Sequence, residues 1–215
     1  MFRAQITEEM KKTRENGAIQ FLSNINKYTN DVAYGDTQHF SYDDQGNISL
    51  YFGSERQVGL HNTVLVWGCV SSSHPKALLL RVSEKFNSST YKEILQKQIL
   101  PLSNHQSKPI GVVHDWFPVH RSKAVMEFAK DNRERMIFLD WPKYFEDVMP
   151  VEDVWFKMMK NFTKGNVKVV NQDNLWEQIV LGWNNACTDE FVTELIKTIP
   201  SKFEKVIQSS GSYVD

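Results

Sequence analysis

Three acids occupy positions where charge is expensive. Asp36 lies in a strand-like run, V-A-Y-G-D-T-Q-H-F. Asp115 closes the apolar run I-G-V-V-H-D-W, and Glu152 falls in the first turn of an amphipathic stretch, M-P-V-E-D-V-W. A carboxylate at a buried strand end is costly unless it is paired, protonated or bound to a cation. Three of them converging on one sheet edge would make a hard, all-oxygen site suited to Mg²⁺ or Mn²⁺. Singly, each acid reads as the commoner thing, a solvated loop residue or a helix cap, and Glu152 gains from a helix N-terminus in either case. Downstream, Lys157, Lys160, Lys164 and Lys168 recur at helical intervals, and no acid occurs from Val154 to Gln172. If one helix carries all four, they form a stripe able to contact phosphates. The plainer reading is a solvated helix face, with Gly165 placed to end the helix before Lys168.

The elements that must position these acids follow from periodicity. Ile6 to Asn24 reads as a helix with Thr7 as its N-cap. Strand-like runs follow at Asp31–Tyr42, Asn47–Phe52, Asn62–Ser71 and Ala77–Val82, separated by D-D-Q-G and S-S-S-H-P turns. Ser88 to Leu100 is helical and stopped by Pro101. Pro109–Asp115 is a buried strand, Ser122–Asp131 a helix and Met136–Leu139 a short strand. Helices at Val151–Phe162, Asn174–Ala186 and Asp189–Thr198 close the chain. Antiparallel strands first, strand–helix–strand units next and helices last predict an α/β mixed sheet covered on both faces. Chemistry in such sheets collects at the carboxyl ends of strands, where Asp115 falls.

Composition narrows the possibilities. With 215 residues and 41% of them apolar, the chain can bury a full core without metals or disulfides. Lys and Arg total 25 against 26 Asp and Glu, so any nucleic-acid surface must be a local patch and not a bulk charge. Cys69 and Cys187 form no C-x-x-C pair and read as reduced thiols. The apolar run at Thr63–Val70 is far short of the roughly 20 residues a membrane span needs. Met1–Asn16 has no apolar signal core, so an intracellular protein with no membrane partner is expected. Trp176 and Trp183, seven apart, read as core.

Several stretches resemble one family in order and spacing. V-L-V-W-G-C-V-S (64–71) is similar to the third-strand signature of the mariner-superfamily DDE transposases. G-D-T-Q-H-F (35–40) resembles that family's first acidic strand, and V-V-H-D-W-F-P-V-H-R-S (112–122) its second. L-D-W-P (139–142) followed by M-P-V-E-D-V-W (149–155) resembles the segment bearing the third acid. The opening I-T-E-E-M-K-K-T-R-E (6–15) and the closing L-W-E-Q-I-V-L-G-W-N (175–184) extend the resemblance along essentially the whole chain.

The resemblance implies an RNase H-like fold with a five-stranded mixed sheet. Its division would be a helix and linker over 1–30, the DDE domain over 31–208 and a tail over 209–215. It also implies that Asp36, Asp115 and Glu152 are the catalytic, metal-holding triad for two Mg²⁺ or Mn²⁺ ions. Those ions would serve DNA strand cleavage and transfer. His120 matches the family's histidine after the second acid and would orient a phosphate or support the loop. Trp116 and Phe117 depart from the usual Asn and small residue, and Phe145–Val148 has lost a proline. No paired helix-turn-helix modules lie within these residues, so DNA binding is expected to be weak or to need additional modules. The partners implied are DNA, a second copy of the chain or a nuclear protein, and the compartment is the nucleus. A rival expectation is a domesticated, catalytically silent binding module built on the same fold.

Overall fold

The computed structural model describes residues 6–28, 30–51, 62–73, 75–82, 85–105 and 108–214. Residues 1–5, Phe52 at the end of the second expected strand, His74 in its turn and Asp215 lie outside the described residues.

The sheet is assembled around β1 (Val32–Tyr42). On one side β3 (Thr63–Ser71) pairs with it antiparallel from Ala33↔Ser71 to Ser41↔Thr63, and β4 (Ala77–Val82) pairs antiparallel beyond β3. On the other side β1 has two short partners. β5 (Ile110–Val113) runs parallel to Val32–Tyr34, and β2 (Ile48–Tyr51) runs antiparallel to His39–Tyr42. β6 (Met136–Phe138) continues the parallel half beside β5. The strand order is β4-β3-β1-β5-β6 with β2 off this path, so the sheet has the six strands read from periodicity where the family resemblance implied five. The sixth comes from a hairpin whose turn is closed by the Asp43 carboxylate, which accepts from Gln45 N and Asn47 N at 2.9 Å each. Gly46, at φ +77°, supplies the left-handed step.

This topology opens the sheet at one place. Gly35 to Gln38 pair with β3 alone, because β5 has ended and β2 has not begun. Asp36 sits in that gap.

Both faces are covered. The face carrying Tyr34 and Phe40 packs against α1 (Glu8–Leu22), α4 (Pro150–Lys164), α5 (Gln172–Ala186) and α6 (Asp189–Gln208). The face carrying Ala33, Trp67 and Cys69 packs against α2 (Ser88–Ile94) and α3 (Lys123–Asp131). Trp183 is buried in the first layer and Trp176 packs partly buried against it. Cys69 is buried, Cys187 is half-buried, and both are free thiols. No helix among the described residues is long and apolar enough to cross a membrane.

Two helices differ from the sequence expectation. The helix expected over 88–100 is α-helical only to Ile94. It rewinds through a π turn (Leu95–Ile99) and a 3₁₀ segment (Leu100–His105) that takes in Pro101. In contrast, α6 runs past Thr198 and through Pro200 to Gln208. Proline there forfeits one backbone bond, yet Ile196, Ile199, Phe203 and Val206 continue the apolar face and are buried. The Phe203 ring stacks on Phe21 at 3.8 Å and on Phe145 at 4.8 Å, which holds the extension in place.

The segments expected to flank the domain are packed into it over their described residues. Arg14, fully buried on α1, forks onto Asp147 at 2.6 and 2.9 Å and also donates to Gly211 O (2.9 Å), Ser212 O (3.2 Å) and Tyr144 O. Val214 N donates to the same Asp147 carboxylate at 3.1 Å. Gly211, at φ +80°, lies so close to α1 that a Cβ would stand 2.0 Å from Lys11 O.

Candidate active site

Each acid reaches the gap in the sheet from a different element. Asp36 shares a face of β1 with Tyr34 and Phe40, which turns it toward α4, and only 7% of it is exposed. Asp115 stands two residues beyond the end of β5. Glu152 projects from the first turn of α4, whose N-terminus is set by Pro150 and a 3₁₀ turn over Glu146–Val148. Its neighbour Asp153 pairs with Lys202 of α6 and is thereby drawn away.

The approach of α4 to the strand depends on a small residue. Asp36 is registered opposite Gly68 on β3. A Cβ on Gly68 would fall 2.4 Å from the Trp155 ring and 2.8 Å from the Trp183 ring. Trp155, one turn after Glu152, therefore sets its ring edge against the sheet at Gly68, wholly buried and T-shaped to Phe40 at 5.7 Å. Its indole N–H favours the charged Asp36 carboxylate, offsetting part of the cost of burial. Neither residue was singled out from the sequence. An isolated glycine in an apolar strand was the available signal, because it marks a close approach.

The surroundings push two of the acids up and the third down. Burial, then repulsion from Glu152 and Asp115, raises Asp36 well above the usual carboxylate range. Burial, with Asp153, Glu146 and Asp115 nearby, pushes Glu152 up to about 7, and a hydrogen bond with the Asp36 carboxyl offsets part of this. Asp115 behaves oppositely. Burial is again the largest single influence, but His120 and the Phe117 N–H together outweigh it and leave Asp115 below the usual range. His120 Nδ1 lies 2.7 Å from Asp115 Oδ1, and Phe117 N donates to the same oxygen at 3.0 Å. Behind them His114, its Nδ1 2.9 Å from the Tyr91 hydroxyl, is pushed down to about 3 by burial and by His120. Glu146 is a fourth acid of the neighbourhood that the sequence did not flag. Burial and the nearby Asp115 raise it.

Chemically, this suits a cation. The donors are all carboxylate oxygens, the kind hard divalent ions prefer. Burial and the surrounding acids raise both Asp36 and Glu152, which a cation would relieve, and buried Glu152 Oε2 has no hydrogen-bond partner among the described residues. The fit is one of donor type and charge. As the side chains stand, no three His, Cys, Asp or Glu among the described residues are grouped closely enough to hold one ion. Asp115 Oδ1 instead faces His120 Nδ1 and the Phe117 N–H.

The expected basic stripe is dispersed. Lys157 turns toward the end of α5, donating to Ala186 O at 3.1 Å with its ammonium 3.3 Å from the Phe191 ring centroid. Helix α4 ends at Lys164, capped by Gly165, so Lys168 lies off the helix and bonds Asn47 in an isolated bridge. Lys160 and Lys164 are left exposed on the helix. His120 is 1% exposed, so it reaches Asp115 and not the surface.

Comparison with known proteins fits this arrangement. Residues 35–175 match the family model described as DDE superfamily endonuclease, a span that takes in all three acids. The chain is 23% identical over 194 residues to the Tc3 transposase of Caenorhabditis elegans, covering 86% of this chain and 57% of that protein. It spans little more than half the length of the curated relatives it matches. Among solved structures, it superposes on the Mos1 transposase paired-end complex with left transposon end at TM-score 0.75 and 18% identity, covering this chain fully and 66% of that one. It superposes on the Mos1 transposase catalytic domain, solved with Raltegravir and Mg, at TM-score 0.71 and 18% identity, covering 99% and 100%. These likenesses show the expected RNase H-like fold, a mixed sheet with helices on both sides.

Proposed function

Because the chain belongs to the DDE superfamily endonuclease family, we propose that it is a metal-dependent DNA strand-cleavage and strand-transfer domain. Its catalytic acids would be Asp36, Asp115 and Glu152. The observation that carries the reading is the charge pattern at the gap in the sheet. Two buried carboxylates with raised pKa values face each other, and a third is kept ionised beside them.

Asp36, Asp115 and Glu152 would hold Mg²⁺ or Mn²⁺, two ions in the family's usual manner. The chemistry such ions supply when bound is neutralisation of charge on the phosphoryl oxygens and activation of a water or 3′-hydroxyl. The chain's own residues do the positioning, which is most of what phosphoryl transfer asks of a protein. His120 and the Phe117 N–H orient Asp115 and keep it charged. Trp155, seated over Gly68, sets the distance between α4 and β1. Asp36 and Glu152 hold a proton that must leave before a cation is bound, so metal affinity should strengthen as pH rises toward 7 and above. DNA is the partner, contacted weakly through Lys160 and Lys164, with a second copy or a nuclear protein completing the assembly in the nucleus.

A Mn²⁺-dependent plasmid-nicking assay tests this. Nicking by the unaltered chain, lost in Asp115→Asn and Glu152→Gln with folding intact, is the expected result. Unchanged nicking in both variants would remove the triad assignment. One observation favours the rival, a catalytically silent module: as the side chains stand, no three His, Cys, Asp or Glu among the described residues are grouped to ligate an ion. Calorimetric titration of Mn²⁺ against the Asp115→Asn control separates the two, since the silent module should bind no metal through this acid.

A further inference from the structure

Beside Asp115 lies a surface that the acids do not use. Trp116 is 40% exposed, yet it is held firmly. Its Nε1 donates to Trp141 O at 2.9 Å, and the Arg121 guanidinium carbon sits 3.5 Å from its ring centroid. At that distance the cation must lie over the ring face, where the attraction is strongest. A large aromatic ring, braced by a cation and left in solvent, is poorly explained as core.

Trp116 also borders a groove of about 710 Å³ between α1 and the segment Asp140–Lys143. That volume is within the roughly 300–1,000 Å³ that a ligand-sized guest fills. Gly17 lets the helix come close enough to form the groove, since a Cβ there would meet Pro142 at 3.2 Å. Asn16 and Gln20 line the helix wall and Lys27 and Lys143 supply charge, with Asp140 as the one opposing acid. Amides, two ammonium groups and an indole ring suit a guest with hydrogen-bonding edges, negative charge and a flat aromatic surface.

We propose that Trp116 is a stacking platform for an unpaired nucleotide of the strand whose phosphodiester lies at the acids, with the neighbouring backbone running into this groove. The proposal rests on the phosphodiester reading above and deepens it. Consecutive Cα atoms are about 3.8 Å apart, and consecutive nucleotides of a duplex strand rise about 3.4 Å. A phosphate at Asp115 therefore puts the adjacent nucleotide within reach of Trp116. A base inside a duplex is already stacked on its neighbours, so the ring can receive only one that is unpaired or turned out.

The test is fluorescence anisotropy with a labelled short thymidylate strand and an abasic strand of equal length. The unaltered chain, Trp116→Ala and Trp116→Phe are compared. Stacking on an aromatic side chain predicts that Trp116→Ala weakens binding of the base-bearing strand by about 5- to 100-fold. Trp116→Phe should retain most of the affinity, and the abasic strand should bind all three proteins alike. Equal affinity of the unaltered chain and Trp116→Ala for the thymidylate strand would overturn the platform. So would an equal loss for the abasic strand, or no binding up to millimolar strand. Plasmid nicking by Asp115→Asn is read in parallel. Persistence of nicking there strikes the phosphodiester reading and leaves the stacking result standing, whereas a flat Trp116 series strikes only the platform.

Discussion

Replacing Glu152 by Gln should stabilise the protein, and only above a definite pH. In the folded chain burial and neighbouring acids hold Glu152 near pH 7, against 4.5 for the free side chain. The folded state therefore binds more protons than the unfolded state across that interval, and stability falls as pH rises through it. Below about pH 4.5 both states are protonated and the group contributes nothing. Above about pH 7 the full penalty is present. At about 1.4 kcal/mol per pH unit it amounts to about 3 kcal/mol. Glutamine keeps the shape and a hydrogen bond to Asp36 but cannot ionise, and its neutrality also relieves Asp36. The expected gain at pH 8 is thus about 3 kcal/mol, or roughly 6–12 °C in Tm for a chain of this size, shrinking to nothing at pH 4. Urea unfolding of both proteins from pH 4 to 8, without divalent metal, measures it. Parallel stability curves for the two proteins, or a less stable variant at pH 8, would refute the reasoning.

Other perturbations follow from the same packing. Gly68→Ala drives a methyl group into the Trp155 ring. It should cost about 1–3 kcal/mol in urea unfolding and reduce nicking by moving Glu152 away from Asp36. Arg14→Met leaves Asp147 buried without its partner and should cost about 3–5 kcal/mol, whereas Arg14→Met with Asp147→Leu should recover much of the loss. Among the lysines, Lys160→Ala and Lys164→Ala should each lower the salt slope of DNA binding by about 1. Lys157→Ala should instead lower Tm with little change in that slope, because its ammonium caps Ala186 O.

The sequence was most legible where a single segment decides the outcome. Alternating Tyr34, Asp36 and Phe40, the apolar run before Asp115 and the amphipathic turn at Glu152 each announced an acid at the edge of an element. The hairpin turn at Asp43–Gly46 and the Thr7 cap were equally local, with Thr7 Oγ1 accepting from Met10 N at 3.2 Å. What stayed hidden depends on contacts between distant segments. Helical spacing aligned Lys157 with Lys160 and Lys164, but the carbonyl at Ala186 that claims it belongs to another helix. Periodicity ended the last helix at Thr198, and burial of Phe203 against Phe21 carries it on to Gln208. The 2.7 Å approach of His120 to Asp115 is of the same kind, set by the loop's path and not by spacing.

The Arg14 clasp has a consequence for how the protein is made. Its guanidinium joins a helix near the start of the chain to the Asp147 strip just ahead of α4, and to carbonyls 197 and 198 residues away. Contacts of such long sequence separation are closed late, because the intervening chain must be ordered first. During synthesis Arg14 can reach Asp147 and Tyr144 as soon as they emerge, but the buckle around that pair stays incomplete until residues 211–214 follow. A chain interrupted before residue 211 would carry all three acids and still lack the contacts from Gly211, Ser212 and Val214 that complete this buckle.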